Sequence, residues 1–171
     1  FISKTNSPTI TKRRYVDNIS KSKNLGVYSI NDNQMDGKNQ NELDILLDEL
    51  IPKHDLVIIS DYGHGFISKK TANRISKQST YISLNAQINA ANIGYHTMNN
   101  YSNIDCAIIN ETELRHEMRD RDSGLEILMK KLASELGAKN LVVTQGRKGA
   151  TLYNTDSLKF HHCPAFANTV V

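Results

Sequence analysis

From Leu43 onward, apolar residues recur at helical spacing, then collapse into short unbroken runs, and the two patterns alternate. Leu43, Leu46, Leu47, Leu50 and Ile51 fall at i, i+3, i+4, i+7 and i+8, which predicts one buried face of a helix. Asn39 with Glu42 three residues on predicts its cap, and Pro52 comes near its end. Asp55–Ser60 (DLVIIS) is almost wholly apolar, as a strand covered on both faces would be. Ser68–Gln78 reads as a polar surface helix, Thr80–Leu84 as a strand, and Asn85 to Tyr101 as a long amide-rich loop. Asp105–Ile109 (DCAII) is a third buried strand, and a short helix is expected from Asn110. Leu125, Leu128, Met129, Leu132 and Leu136 share a helical face, with Ser123 and Glu126 as capping box and Gly137 as stop. Asn140–Thr144 (NLVVT) is a fourth buried strand, followed by Ala150–Tyr153 and Leu158–His162 as a hairpin.

Strand and helix alternating at this spacing predict right-handed βαβ units, a mostly parallel sheet and a three-layer α/β/α arrangement. The first 34 residues break the pattern. Pro8–Val16 (PTITKRRYV) and Leu25–Ile30 are rich in β-branched residues and predict a separate β-hairpin. The chain therefore divides into a β segment over 1–34 and an α/β core over 35–171. Phe1 and the abrupt Val170–Val171 ending read as cuts in a longer chain.

Charge changes the picture only locally. The net charge is +3, but residues 1–25 hold six basic groups against Asp17 alone, a local balance of +5. That stretch lacks the interleaved aromatics of a nucleic-acid surface, and no run approaches the roughly 18 apolar residues of a membrane span. Cys106 and Cys163 sit in apolar stretches without metal-ligand spacing and read as reduced thiols of a cytoplasmic protein.

In open α/β sheets ligands gather at the carboxyl ends of the strands, so four loops are the candidates for chemistry. Asp61-Tyr62-Gly63-His64-Gly65 offers polar groups on a sharply turning backbone, or simply a strand-to-helix turn. The loop from Asn85 through His96, with Asn89 and Asn92 inside it, supplies amide donors and acceptors that suit a polyhydroxylated ligand, or is simply an asparagine-rich loop. Asn110-Glu111-Thr112-Glu113 is a capping arrangement, and the same geometry suits a phosphate or a water-coordinated Mg²⁺. Thr144-Gln145-Gly146-Arg147-Lys148-Gly149 joins glycines to two cations, a phosphate cradle or a hairpin turn. It is not a P-loop, since no GxxxxGK[ST] occurs.

Taken in order, these segments resemble the ribokinase/PfkB carbohydrate kinases. DLVIISDYGHG resembles the strand and loop of the heptose-phosphate kinase branch found in bifunctional ADP-heptose synthases. INETE matches the N-x-x-E motif at Asn110 and Glu113, and VVTQGRKGA matches T-x-G-x-x-G-A at Thr144, Gly146 and Gly149. PTITKRRYVD and NLGVYSIND resemble the strands that form a lid over the sugar. The resemblance implies a ribokinase-like fold, ATP and Mg²⁺ as cofactors, and phosphoryl transfer to a sugar or sugar-phosphate hydroxyl. It assigns Asn110, Thr144, Gly146 and Gly149 to nucleotide and phosphate binding and Glu113 to the metal through water. Lys12, Arg14, Asp61, His64, Asn85 and Asn89 are then the substrate-binding candidates. It also implies a homodimer through the lid and fusion to a nucleotidyltransferase domain. The chain departs from the family where Asn85 replaces Asp and His64 replaces Lys. The G-A-G-D motif with its catalytic base is absent and is expected beyond Val171, leaving no catalytic residue in this chain. An alternative is a non-catalytic ligand-binding or interaction domain that keeps the fold.

Overall fold

The computed structural model describes residues 1–87 and 97–166. Strands β1 (Thr11–Val16) and β2 (Lys23–Ser29) pair antiparallel as a two-stranded sheet. The remaining strands are β3 (Leu56–Asp61), β4 (Tyr81–Ala86), β5 (Cys106–Asn110), β6 (Asn140–Thr144), β7 (Ala150–Asn154) and β8 (Lys159–Cys163). They form one sheet in sequential order. β3 through β6 are parallel, and β7 and β8 turn back antiparallel. Helices α1 (Gly37–Leu50), α2 (Lys69–Ile75), α3 (Glu111–Glu117) and α4 (Leu125–Leu136) flank the sheet.

Strand side chains alternate between faces, so the register sorts the sheet into two sets. Ile59, Ile82, Leu84, Ala107, Ile109, Leu141, Val143 and Tyr153 share the packed face and are buried. Leu128, Met129, Leu132 and Leu136 of α4 join them in one core with Ile75 of α2 and Leu114 of α3. The other face is more open, above all at edge strand β3, where Leu56 is 50% and Ile58 72% exposed.

Two helix starts differ from expectation. Asp36, not Asn39, caps α1: its carboxylate accepts from the Asn39 N–H at 2.9 Å. An acceptor three residues earlier satisfies the orphan donors first. α4 begins after Gly124 without a side-chain cap, because the Ser123 hydroxyl donates to Asp120 instead, at 2.7 Å. Gly137 does end α4, in the left-handed conformation.

Candidate functional site

A cleft lies where β5 and β6 end. A cavity of about 420 Å³ is lined by Asn110, Glu111, Thr112, Arg115, Thr144, Gln145 and Gly146. Asn110 and Thr144 are direct neighbours in the parallel register and share the open face of the sheet. Asn110 also closes α3 with a capping box: its side chain accepts from the Glu113 N–H at 2.9 Å, and Glu113 Oε2 accepts from the Asn110 N–H at 3.2 Å. Glu113 is buried, so its carboxylate turns back toward the cap while Glu111 faces the cleft.

A hydrogen-bonded chain fixes the cleft floor. Thr151 Oγ1 donates to Gln145 Oε1 (3.1 Å), and Gln145 Nε2 donates to Glu111 Oε2 (2.9 Å). Glu111 Oε1 accepts from Arg115 Nη2 (2.8 Å), and Arg115 Nη1 donates to the carbonyls of Arg121 and Ser123. Gln145 and Arg115 together hold the Glu111 carboxyl below the usual carboxylate range. Arg115, spent on these partners, positions the α3–α4 connection. Glu111 and Gln145 fall in candidate loops without having been singled out there, and Arg115 lay outside them; their spacing carries no signal until α3 meets the β6–β7 turn.

The two glycines of that turn differ. Gly146 has φ +57°, and a Cβ there would meet nothing within 4 Å. Gly149 has φ +92°, and its Cβ would lie 2.8 Å from Ala165 N and closer still to the Cys163 carbonyl oxygen. Gly149 is therefore required by the approach of the β8 end, whereas Gly146 borders the cleft. The N–H groups of Gly146 and Arg147 have no protein acceptor among the described residues, and Arg147 and Lys148 add positive charge.

The loop after β3 gathers the other candidates. Asp61 lies on the packed face and is buried; its carboxylate accepts from the Gly63 N–H at 2.9 Å and the Tyr101 hydroxyl at 2.7 Å. Burial, with the Asp61 charge beside it, pushes the Tyr101 phenol far above its ordinary range and keeps it a donor. His64 is buried, with Nδ1 2.7 Å from Asp32 Oδ1. Asn85 sits on the open face, its amide donating to the Ile108 carbonyl at 3.0 Å. Asn89 lies outside the described residues.

Lys12 and Arg14 share one face of the β1–β2 hairpin, opposite Tyr28 and Gly26. Lys12 Nζ stands 5.2 Å from the centroid of the Tyr62 ring, a cation–π contact that brings this face of the hairpin to the loop after β3. The cleft at β5 and β6 and the loop beside the hairpin thus form two neighbourhoods on the carboxyl edge of one sheet.

The structure of ribokinase from Giardia lamblia matches with 19% identity and a TM-score of 0.69, over 96% of this chain and 51% of that one. Phosphofructokinase-2 from Escherichia coli, in complex with potassium, matches with 12% identity and a TM-score of 0.64, over 88% and 48%. Ribokinase from Thermotoga maritima matches with 17% identity and a TM-score of 0.63, over 96% and 50%. No family model and no curated protein sequence matches the chain. At these identities the matches show the fold: a ribokinase-like α/β architecture with an added antiparallel hairpin. The chain spans about half the length of these structures.

Proposed function

We propose that this chain is part of an ATP-dependent kinase that phosphorylates a hydroxyl of a sugar or sugar phosphate. The observation that carries the reading is the cleft of Asn110, Thr112, Thr144 and Gly146 at the ends of adjacent parallel strands. It lies on a fold shared over nearly the whole chain with a ribokinase.

The residues of the cleft fit the two cofactors. Backbone N–H groups of Gly146 and Arg147, with Arg147 and Lys148 beside them, suit the phosphates of ATP. Hard oxygen donors suit Mg²⁺: the Glu111 carboxylate and the Thr112 and Thr144 hydroxyls, on residues that line the cleft, would hold it, and Glu113, turned back to the cap, would contribute only through water. When bound, the nucleotide supplies the phosphoryl group and the metal offsets its charge. The chain's own part is positioning, which dominates phosphoryl transfer. Asn110 fixes the start of α3, Gln145 and Glu111 hold the β6–β7 turn against it, and Lys12 and Arg14 face the acceptor from the hairpin.

Closeness to the heptose-phosphate kinases rests on the D-Y-G-x-G loop at Asp61–Gly65. Tyr15, Leu25 and Val27 share the hairpin face away from Lys12 and are exposed, which supports a homodimer through this sheet. Fusion to a nucleotidyltransferase and a cytoplasmic site of action belong to the same reading. Among the described residues no helix is long and apolar enough to cross a membrane.

Isothermal titration of Mg-ATP into the chain tests the reading. Binding that is weakened by Gly146→Val and by Glu111→Ala, with Lys53→Ala as a remote control, is the expected result. Absence of nucleotide binding by the folded chain would overturn it and favour a non-catalytic domain.

A further inference from the structure

Thr151 stands in β7 where the core would accept a valine. It lies opposite Val143 of β6, on the packed face with Leu141 and Tyr153, and is 8% exposed. Valine has the same shape without the polar atom, and a buried hydroxyl is tolerated where its hydrogen bonds are met. Thr151 Oγ1 donates to Gln145 Oε1 at 3.1 Å, and His162 Nδ1 of β8 lies 3.3 Å away. The shorter contact is the one that leads to the cleft.

Gln145 opens the turn between β6 and β7. The turn closes on itself: the Gln145 N–H donates to the Gly149 carbonyl at 2.7 Å, and the Gly149 N–H to the Gly146 carbonyl at 3.0 Å. Those bonds fix its internal shape, not its placement against α3. Among the described residues, the hydrogen bond that joins the turn to α3 runs from Gln145 Nε2 to Glu111 Oε2, at 2.9 Å. A side-chain amide has one donating and one accepting end, and an ionised carboxylate accepts only. The turn therefore meets α3 favourably when Nε2 faces Glu111. Thr151, donating to Oε1, holds the amide that way round. The next two residues, Gly146 and Arg147, carry the N–H groups that suit a phosphate.

We propose that Thr151 is a positioning residue for the nucleotide cleft. It is not among the residues that line the cleft; by orienting the Gln145 amide it sets where the Gly146 and Arg147 N–H groups stand relative to α3. The choice of nucleotide as ligand rests on the kinase reading, whereas the placement of the turn rests on the hydrogen-bonded chain alone.

The test compares Thr151→Val, which keeps the shape and removes the hydroxyl, with Thr151→Ser, which keeps the hydroxyl. Mg-ATP is titrated into each ¹⁵N-labelled chain and followed in two-dimensional ¹H–¹⁵N spectra, with urea midpoints to show that each variant is folded. Thr151→Val should raise the Kd for Mg-ATP about fivefold, the effect of one neutral hydrogen bond, and Thr151→Ser should restore it. In a Gln145→Leu background, Thr151→Val should change Kd by less than about twofold, because the amide it orients is gone. An unchanged Kd in Thr151→Val, or the same loss in both backgrounds, would overturn the proposal. Spectra without ligand separate it from the kinase reading: Thr151→Val should move the Gln145 side-chain amide and Gly146 backbone signals, and Thr151→Ser should return them. If the folded chain binds no Mg-ATP, the kinase reading fails, and these signals still decide on Thr151: moved and rescued, they sustain its hold on the turn; unmoved, they overturn it.

Discussion

Replacing Gly146 and Gly149 by alanine, one at a time, should separate a glycine that serves the cleft from one that serves the fold. At Gly146 the backbone is left-handed at φ +57°, and the new Cβ meets nothing within 4 Å. A left-handed alanine costs about 1–2 kcal/mol, and the stiffer unfolded chain returns about 0.4–1. Gly146→Ala should therefore lose about 0.5–1 kcal/mol of stability while placing a methyl group at the cleft. At Gly149 the backbone has φ +92° and ψ −135°, a region open essentially to glycine, worth about 1–3 kcal/mol. The added Cβ also strikes backbone atoms at the end of β8, 2.8 Å from Ala165 N, and a backbone obstacle cannot rotate away. Overpacking adds about 1–3 kcal/mol, so Gly149→Ala should lose about 3 kcal/mol or more. That is a large share of the roughly 5–15 kcal/mol that holds an ordinary domain. Urea unfolding followed by circular dichroism reads the stabilities, and Mg-ATP titration of each folded variant reads the cleft. Gly146→Ala should weaken nucleotide binding at nearly unchanged stability, with Gly149→Ala doing the reverse. Equal loss of stability in both variants would refute the distinction.

Two further outcomes follow from single contacts. Tyr101→Phe removes the buried 2.7 Å hydrogen bond to Asp61 and should cost about 1–3 kcal/mol in chemical denaturation, because the carboxylate stays buried; a change under a few tenths would show that Asp61 is held by other groups. For Glu111, Gln145 and Arg115 depress the folded-state pKa, so its stabilisation is full above the unfolded value of about 4.3 and fades as pH falls through the folded value. With much of the side chain near solvent, the gap between wild type and Glu111→Gln should be no more than about 1 kcal/mol at pH 7 and close as pH falls below about 4; a gap constant from neutral to acid pH would contradict it.

Much of the fold was readable because its signals are local. The α4 stripe from Leu125 to Leu136 and the apolar runs of β3, β5 and β6 each announce themselves within a dozen residues, and the Asn110–Glu113 capping box is present as the spacing requires. The two misread helix starts were also local competitions, which Asp36 and Asp120 won because a carboxylate is a stronger acceptor than an amide or a hydroxyl. What sequence could not supply were pairings across the chain. Asp61 meets Tyr101 forty residues on, His64 meets Asp32 thirty-two residues back, and Glu111 meets Gln145 across two strands. No periodicity encodes these, and each changes a role.

The register of the sheet supplies the missing rule. Asp61 and Asn85 both end parallel strands and looked equivalent as ligand contacts, yet successive residues of a strand face opposite ways. Asp61 falls on the packed face with Ile59, where a carboxylate is tolerated only if donors converge on it, and Gly63 and Tyr101 supply them. Asn85, Asn110 and Thr144 fall on the open face, where no core demands their side chains. A polar residue at a strand end therefore serves the fold when its parity matches the core and is available to a ligand when it does not. By that rule Thr144 is a stronger candidate contact than Asp61, and exchanging them in a binding assay should reveal it: Thr144→Val should weaken nucleotide binding in a folded chain, while Asp61→Asn should first loosen the loop that carries His64.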